Sequence, residues 1–380
     1  MPPNLPVRPA ASAPMIAVMS ESTAPEIERV TLHMLDTMLA DGSTPGLQYV
    51  FASDEAVRFS HHGGAADLLT PRAVTERSTF NAYSVTKTFT AAAVLQLVER
   101  RLVDLDQPIA RYLDRWPHSG DATVRQTLLH TAGFANPNPL RWVHLAEEHA
   151  AFDRDRFVEE VIRAHGRPVS QPGARYAYSN IGYLALGDLI EKVSRQPFVQ
   201  HVQQYLLAPL RLRDGAVIAF DITRPDAHAH GMLHHFGWLN LVLGLVLDRG
   251  RLIECSAGRW VQFRDHHVNG DAYGGLIGNA LGFTRFLQAL LTDELLTPMS
   301  RAALFKTESA PGPARSLGGF TGRLGQVDWL AHAGGGAGYY SEIRVYPQVR
   351  KVSVVMLNRA GMRDERLLDR LDSKLIGPGR

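Results

Sequence analysis

From Pro25 to Leu39 apolar residues recur at Ile27, Val30, Leu32, Met34, Leu35 and Met38. That spacing predicts an amphipathic helix, closed by Asp41-Gly42. The stretches GLQYVFASD and AVRFSHHGG follow, and both read as strands joined at a tight Ser-Asp-Glu turn. A long helix is predicted from Ser84 to Arg101, with Phe89, Ala92, Ala93, Val94 and Leu97 among its apolar residues. Helical patterns dominate from there to about residue 270, broken by loops at Gly133 to Pro139 and Gln171 to Gly173. The character then changes. GRLGQVDWLAHAG, YSEIRVYPQ and KVSVVMLN read as three successive strands, and Asp364 to Leu375 as a closing helix. No internal repeat is visible.

Strand-forming sequence therefore lies at both ends, with a mainly helical block between. The simplest assembly is an α+β fold: one antiparallel sheet flanked by helices, with an inserted helical domain. The expected division is a flexible tail at 1–22, a sheet domain at 23–80 plus 272–380, and a helical domain at 81–271. A site is expected at the domain junction, where clefts tend to form.

Composition narrows the function. The chain has 380 residues, 45% hydrophobic and 21% charged, with a formal net charge of +2. So weak a surplus argues against a nucleic-acid partner. The single cysteine, Cys255, allows no internal disulfide and reads as a small core residue. The proline-rich start has only Arg8 as a basic residue, and Ser12 and Pro14 interrupt its apolar stretch, so no secretory signal is expected and a cytoplasmic location is. The most apolar run, Phe236 to Leu247, is shorter than the roughly 20 residues of a membrane span. It is expected to be a core helix or a lid over an acyl pocket. The oligomeric state is left open.

Lysine is scarce: Lys87, Lys192, Lys306, Lys351 and Lys374 are all there are. One of them stands in FNAYSVTKTF, three places after Ser84, where a helix begins. Residues i and i+3 share a helix face, so the amine can reach the hydroxyl. The backbone N–H of a residue at a helix start is free to stabilise an oxyanion. Alone, the stretch also describes a helix cap with a surface lysine. Tyr178-Ser179-Asn180 precedes a second apolar helix, where the tyrosine could relay a proton and Asn180 could contact substrate and Lys87. A cap with packing tyrosines is the plainer alternative. In the third stretch, His332-Ala333-Gly334 ends a strand and more glycine follows. Gly335 is placed to offer a second oxyanion N–H, although a glycine-rich turn reads the same way.

In this order the three motifs resemble the penicillin-recognising serine hydrolases, with their Ser-x-x-Lys, Tyr-x-Asn and Lys/His-x-Gly pattern. The tyrosine is similar to the class C β-lactamase branch, which includes D,D-carboxypeptidases, D-aminopeptidases, acyltransferases and esterases. Thr123 to Phe134 and Tyr273 to Leu291 strengthen the likeness, which runs from about residue 25 to 376. The resemblance implies a β-lactamase-like fold and an acyl-enzyme on Ser84. It implies that Lys87 and Tyr178 share the proton and that Asn180 orients substrate. It places the oxyanion hole at the N–H groups of Ser84 and Gly335, with His332 and Gly334 lining the substrate pocket. It implies no cofactor and no metal.

The chain departs from the pattern at the third motif. His332 and Ala333 stand where β-lactamases carry a lysine and a hydroxyl residue that help to hold a substrate carboxylate. That shifts the expected substrate towards esters, or amides without a neighbouring carboxylate. A β-lactamase, a D-amino-acid peptidase, an acyltransferase and an inactive scaffold remain the alternatives. His228, His230, His234 and His235 fit no usual metal-ligand spacing and read as loop histidines. Asp265-His266-His267 suggests an acid–base pair for which the main motifs leave no role. No Gly-x-Ser-x-Gly stretch marks an α/β-hydrolase.

Overall fold

A computed structural model describes residues 26–113, 115–116, 120–137, 141–235, 249–361 and 367–376. The expected tail and the apolar run at Phe236 to Leu247 lie outside the described residues, except that the tail's neighbour begins a helix at Glu26. The elements that position the site are α1 (Glu26–Ala40), β1 (Gly46–Ser53), β2 (Val57–Gly64), α2 (Thr86–Glu99), α3 (Asn180–Ser194), α4 (Ala280–Leu290), β3 (Arg315–Ser316), β4 (Gly319–Leu324), β5 (Val327–Gly336), β6 (Tyr339–Tyr346), β7 (Lys351–Leu357) and α5 (Leu367–Ile376).

The strands form one antiparallel seven-stranded sheet in the order β3-β4-β5-β6-β7-β1-β2, so chain from both ends meets at the β7–β1 pairing. Each face of the sheet is covered. On one face Tyr49, Phe51, Val355 and Leu357 pack with Leu35 of α1 and Leu367, Leu368 and Leu371 of α5. On the other, Val50, Ala52, Val354 and Met356 join the main core, which includes residues of α2, α3 and α4. This explains why β1 and β7 read as continuous apolar runs rather than alternating ones. β2 lies at an edge and, after the buried Val57, alternates exposed with half-buried positions.

Asp372 of α5 ties its helix to the sheet. Its carboxylate is fully buried and accepts from Tyr49 Oη at 2.6 Å, Tyr346 Oη at 2.6 Å and Ser353 Oγ at 2.6 Å. Burial pushes its pKa above the ordinary carboxylate value, opposed by the Arg344 cation and the three hydroxyl donors. Asp372→Ala would leave three buried hydroxyls without this acceptor. The expected cost is about 3 kcal/mol of stability, read as a lower midpoint in urea, with activity per folded molecule retained. An unchanged midpoint would contradict the role given to this network.

Helix α2 decides the site. Every residue from Thr86 to Leu97 is buried, so it is a central helix with no solvent face. Its threonines can be buried because each has a partner: Thr88 Oγ1 donates to Gly318 O at 2.8 Å, Thr90 Oγ1 donates to Ala272 O at 2.6 Å, and Thr86 Oγ1 accepts from Leu276 N at 3.1 Å. The Ala91–Ala93 run lets neighbours approach closely. α3 packs against α2 and is buried from Asn180 to Ile190.

The middle of the chain holds more strand than its pattern suggests. Val143–Leu145 pairs with His266–Val268, and Met232–His234, Ile253–Ala257 and Trp260–Phe263 form a separate small sheet. Pieces this short carry too little periodicity to be read from sequence. GRLGQVDWLAHAG is likewise a hairpin of β4 and β5 rather than one strand.

Candidate active site

Ser84 does not cap an α-helix. It lies in a single 3-10 turn, Tyr83–Val85, that runs directly into α2. The preceding Tyr83 has φ of 49°, a left-handed conformation uncommon for a residue with a side chain. Such strain persists only where surroundings enforce it. Here β5 supplies them. An added Cβ on Gly334 would sit 2.0 Å from Ala82 O, and one on Gly336 would sit 2.0 Å from Tyr83 Cε1. His332, Gly334 and Gly336 share one face of β5 by the two-residue period of a strand. The side chain shrinks to hydrogen where the serine turn lands.

Lys87 is one turn on and fully buried. Its Nζ is 3.0 Å from Ser84 Oγ, 2.7 Å from Asn180 Oδ1 and 2.9 Å from Tyr273 O. The last two oxygens only accept, so the amine must donate to both. The third position faces Ser84. There an ammonium presents a proton and a neutral amine presents its lone pair. Among the described residues no carboxylate pairs with Lys87, and burial drives its pKa well below that of free lysine. The rings of Tyr178, Tyr183 and Tyr273 lie 5.0, 5.3 and 5.3 Å from the nitrogen and partly offset this by cation–π attraction.

Tyr178 Oη lies 2.8 Å from Ser84 Oγ on the other side. Burial pushes its phenol upward, and the contact with Ser84 opposes that only in part. Ser179 is the N-cap of α3, accepting from Gly182 N at 3.0 Å, and this aims Asn180 at Lys87. Sequence reasoning missed the support beneath this loop. His130 Nδ1 accepts from Ser179 N at 3.2 Å, its ring packs 4.3 Å from that of Tyr178, and Asn136 Oδ1 accepts from Asn180 N at 3.1 Å. Nothing local marks such partners, more than forty residues away. The Tyr273 carbonyl was equally invisible, because a backbone oxygen leaves no trace in residue type.

A small cleft opens at Ser84, lined by Asn180, Tyr273, Gly335 and apolar walls from Trp142, Val143 and Val268. β4 pairs with β5 only as far as Ala331, so no strand covers that edge of His332–Gly336 among the described residues. An unpaired edge beside the serine can present backbone N–H groups to an oxyanion. His332 differs from its expected place on the pocket wall. It is 1% exposed, packs against Phe320, and its pKa is held down to about 3, chiefly by burial. It stays a neutral imidazole at pH 7. The other singled-out histidines divide. His228 lies 3.0 Å from Thr79 Oγ1 and 3.0 Å from Tyr339 Oη, while His230 pairs with Asp265 at 2.9 Å.

Ser84 is thus held between Lys87 and Tyr178, beside a sheet backed by buried helices. The chain belongs to the β-lactamase family, whose Beta-lactamase description matches residues 33–375. It is 24% identical over 317 residues to penicillin-binding protein 4* of Bacillus subtilis, covering 80% of this chain and 66% of that protein. It is 27% identical over 209 residues to esterase EstB of Burkholderia gladioli, covering 50% of this chain and 52% of the esterase. The chain thus spans just under two thirds of the first relative and about half of the second. D-amino acid amidase from Ochrobactrum anthropi SV3, solved with D-phenylalanine, superposes with a TM-score of 0.74 at 20% identity, over 92% of this chain and 97% of that one.

Proposed function

We propose that the chain is a serine hydrolase that cleaves an ester through an acyl-enzyme on Ser84. The observation that carries this reading is the position of Ser84 Oγ between Lys87 Nζ at 3.0 Å and Tyr178 Oη at 2.8 Å, with no carboxylate among the described residues to hold the lysine charged. Lys87 is the base, because its pKa moves down towards neutrality while that of Tyr178 moves up. Its lone pair takes the Ser84 proton as Oγ bonds to the ester carbon. The N–H groups of Ser84 and Gly335 stabilise the oxyanion. When the carbon–oxygen bond breaks, Tyr178 passes a proton to the leaving alkoxide and recovers one from Lys87. Water then repeats the sequence and releases the acid.

The ester preference rests on the third motif. His332 is neutral and buried, and Ala333 offers no hydroxyl, so neither supplies a strong hold on a carboxylate beside the scissile bond. The apolar walls at Trp142, Val143 and Val268 suit an acyl group instead. The esterase among the relatives supports the same choice. Rates on short nitrophenyl esters, a cephalosporin and a D-alanyl peptide test it. Esters should be turned over fastest, and faster turnover of the cephalosporin or peptide would overturn the preference. Tyr178→Phe should lower kcat by about 10²–10³-fold, with little change in Tm. Unfolding of that variant would instead give Tyr178 a packing role.

A further inference from the structure

We propose that a zinc site lies on the face of the Val143–Leu145/His266–Val268 ribbon opposite the serine cleft, with His149, Asp221 and His267 as ligands. One ligand atom from each of these residues can be chosen so that all lie within 4.8 Å of one another. A tetrahedral zinc with bonds of about 2.0–2.1 Å needs ligand atoms about 3.4 Å apart. Side-chain rotation must close the difference. His267 Nε2 already lies 3.4 Å from Asp221 Oδ1.

The hydrogen bonds behind the site set its chemistry. Asn269 Oδ1 can only accept, so the 2.8 Å contact puts the proton of His144 on Nδ1. His144 Nε2 then bears a lone pair and accepts from His149 Nδ1 at 2.9 Å. His149 Nε2 is left with its lone pair free for a metal. A ligating histidine is commonly fixed by its second nitrogen in this way. Two neutral imidazoles and one carboxylate, with a water completing the shell, suit zinc. Binding requires the His149 ring to turn out of its face-to-face contact with His267, whose centroid is 3.9 Å away, while its Nδ1 stays on His144.

The site is also placed to matter. Val143 and Val268 face the Ser84 cleft, while on the opposite face their neighbour His267 is a ligand and His144 holds the ligand His149. His266, on the cleft-facing side, lies 2.8 Å from Tyr83 Oη, beside the nucleophile. A metal here would fix the ribbon that walls the cleft. The proposal does not depend on the ester reading.

The test uses the full chain, stripped with a chelator, incubated with Zn²⁺ and passed through a desalting column. Wild type should retain one zinc per chain, and Co²⁺ should give the intense visible absorption of a tetrahedral site. His149→Ala should lose retention, as should Asp221→Asn at its exposed position, both with unchanged circular dichroism. His144→Ala should weaken binding about 10–100-fold. Substoichiometric zinc in wild type, or a full equivalent in both folded ligand variants, would overturn the site.

Discussion

Lys87→Met is expected to lower kcat/KM on a nitrophenyl ester by about 10³–10⁴-fold, or about 4–5 kcal/mol of transition-state stabilisation. Methionine fills much of the same space but has no lone pair to take the Ser84 proton. Stability should change little. The variant loses donors to Asn180 Oδ1 and Tyr273 O, yet it also removes an amine whose charged form is strongly disfavoured in this setting. The wild type should show a matching pH dependence. Below the lowered pKa the ammonium cannot accept a proton, so kcat/KM should fall as pH falls through that value and level off above it. The limb should lie well under the free-lysine value near 10.4. A rate of Lys87→Met within about tenfold of wild type would show that the amine only packs.

Ser84→Ala is expected to remove turnover to the background of uncatalysed hydrolysis, because among the described residues no other hydroxyl lies between Lys87 Nζ and Tyr178 Oη. The side chain is half-buried in a 3-10 turn whose shape is set by Tyr83, Gly334 and Gly336 rather than by the hydroxyl. Thermal midpoints of the two proteins should agree closely. Ester turnover and midpoint measured side by side check both halves. Equal turnover in the two proteins would place the nucleophile elsewhere.

The parts of this site legible in sequence are those that local spacing controls. Ser84 and Lys87 are one helical turn apart, and that separation survives even though the serine lies in a 3-10 turn before α2. Ser179 and Asn180 were recognisable because an N-cap has its own chemistry. The sheet was legible because β1 and β7 are rich in β-branched and aromatic residues. His130, Asn136 and the Tyr273 carbonyl were not, since each reaches the site from a distant part of the chain. The burial of His332 was hidden too. It depends on how β5 meets the Ser84 turn, and period-two patterning cannot tell a cleft wall from a packed layer. The ribbon that brings His144 and His267 together has three residues per strand, too few to register against a helical background.

Cleavage by this route requires that Ser84 Oγ becomes acylated. The most direct measurement is intact-mass and peptide-mapping mass spectrometry after rapid quenching from a nitrophenyl ester. One added acyl group per chain is expected, on the peptide that contains Ser84, and none in Ser84→Ala. An acyl group on another residue, or turnover with no covalent species when a slowly deacylating ester is used, would contradict it.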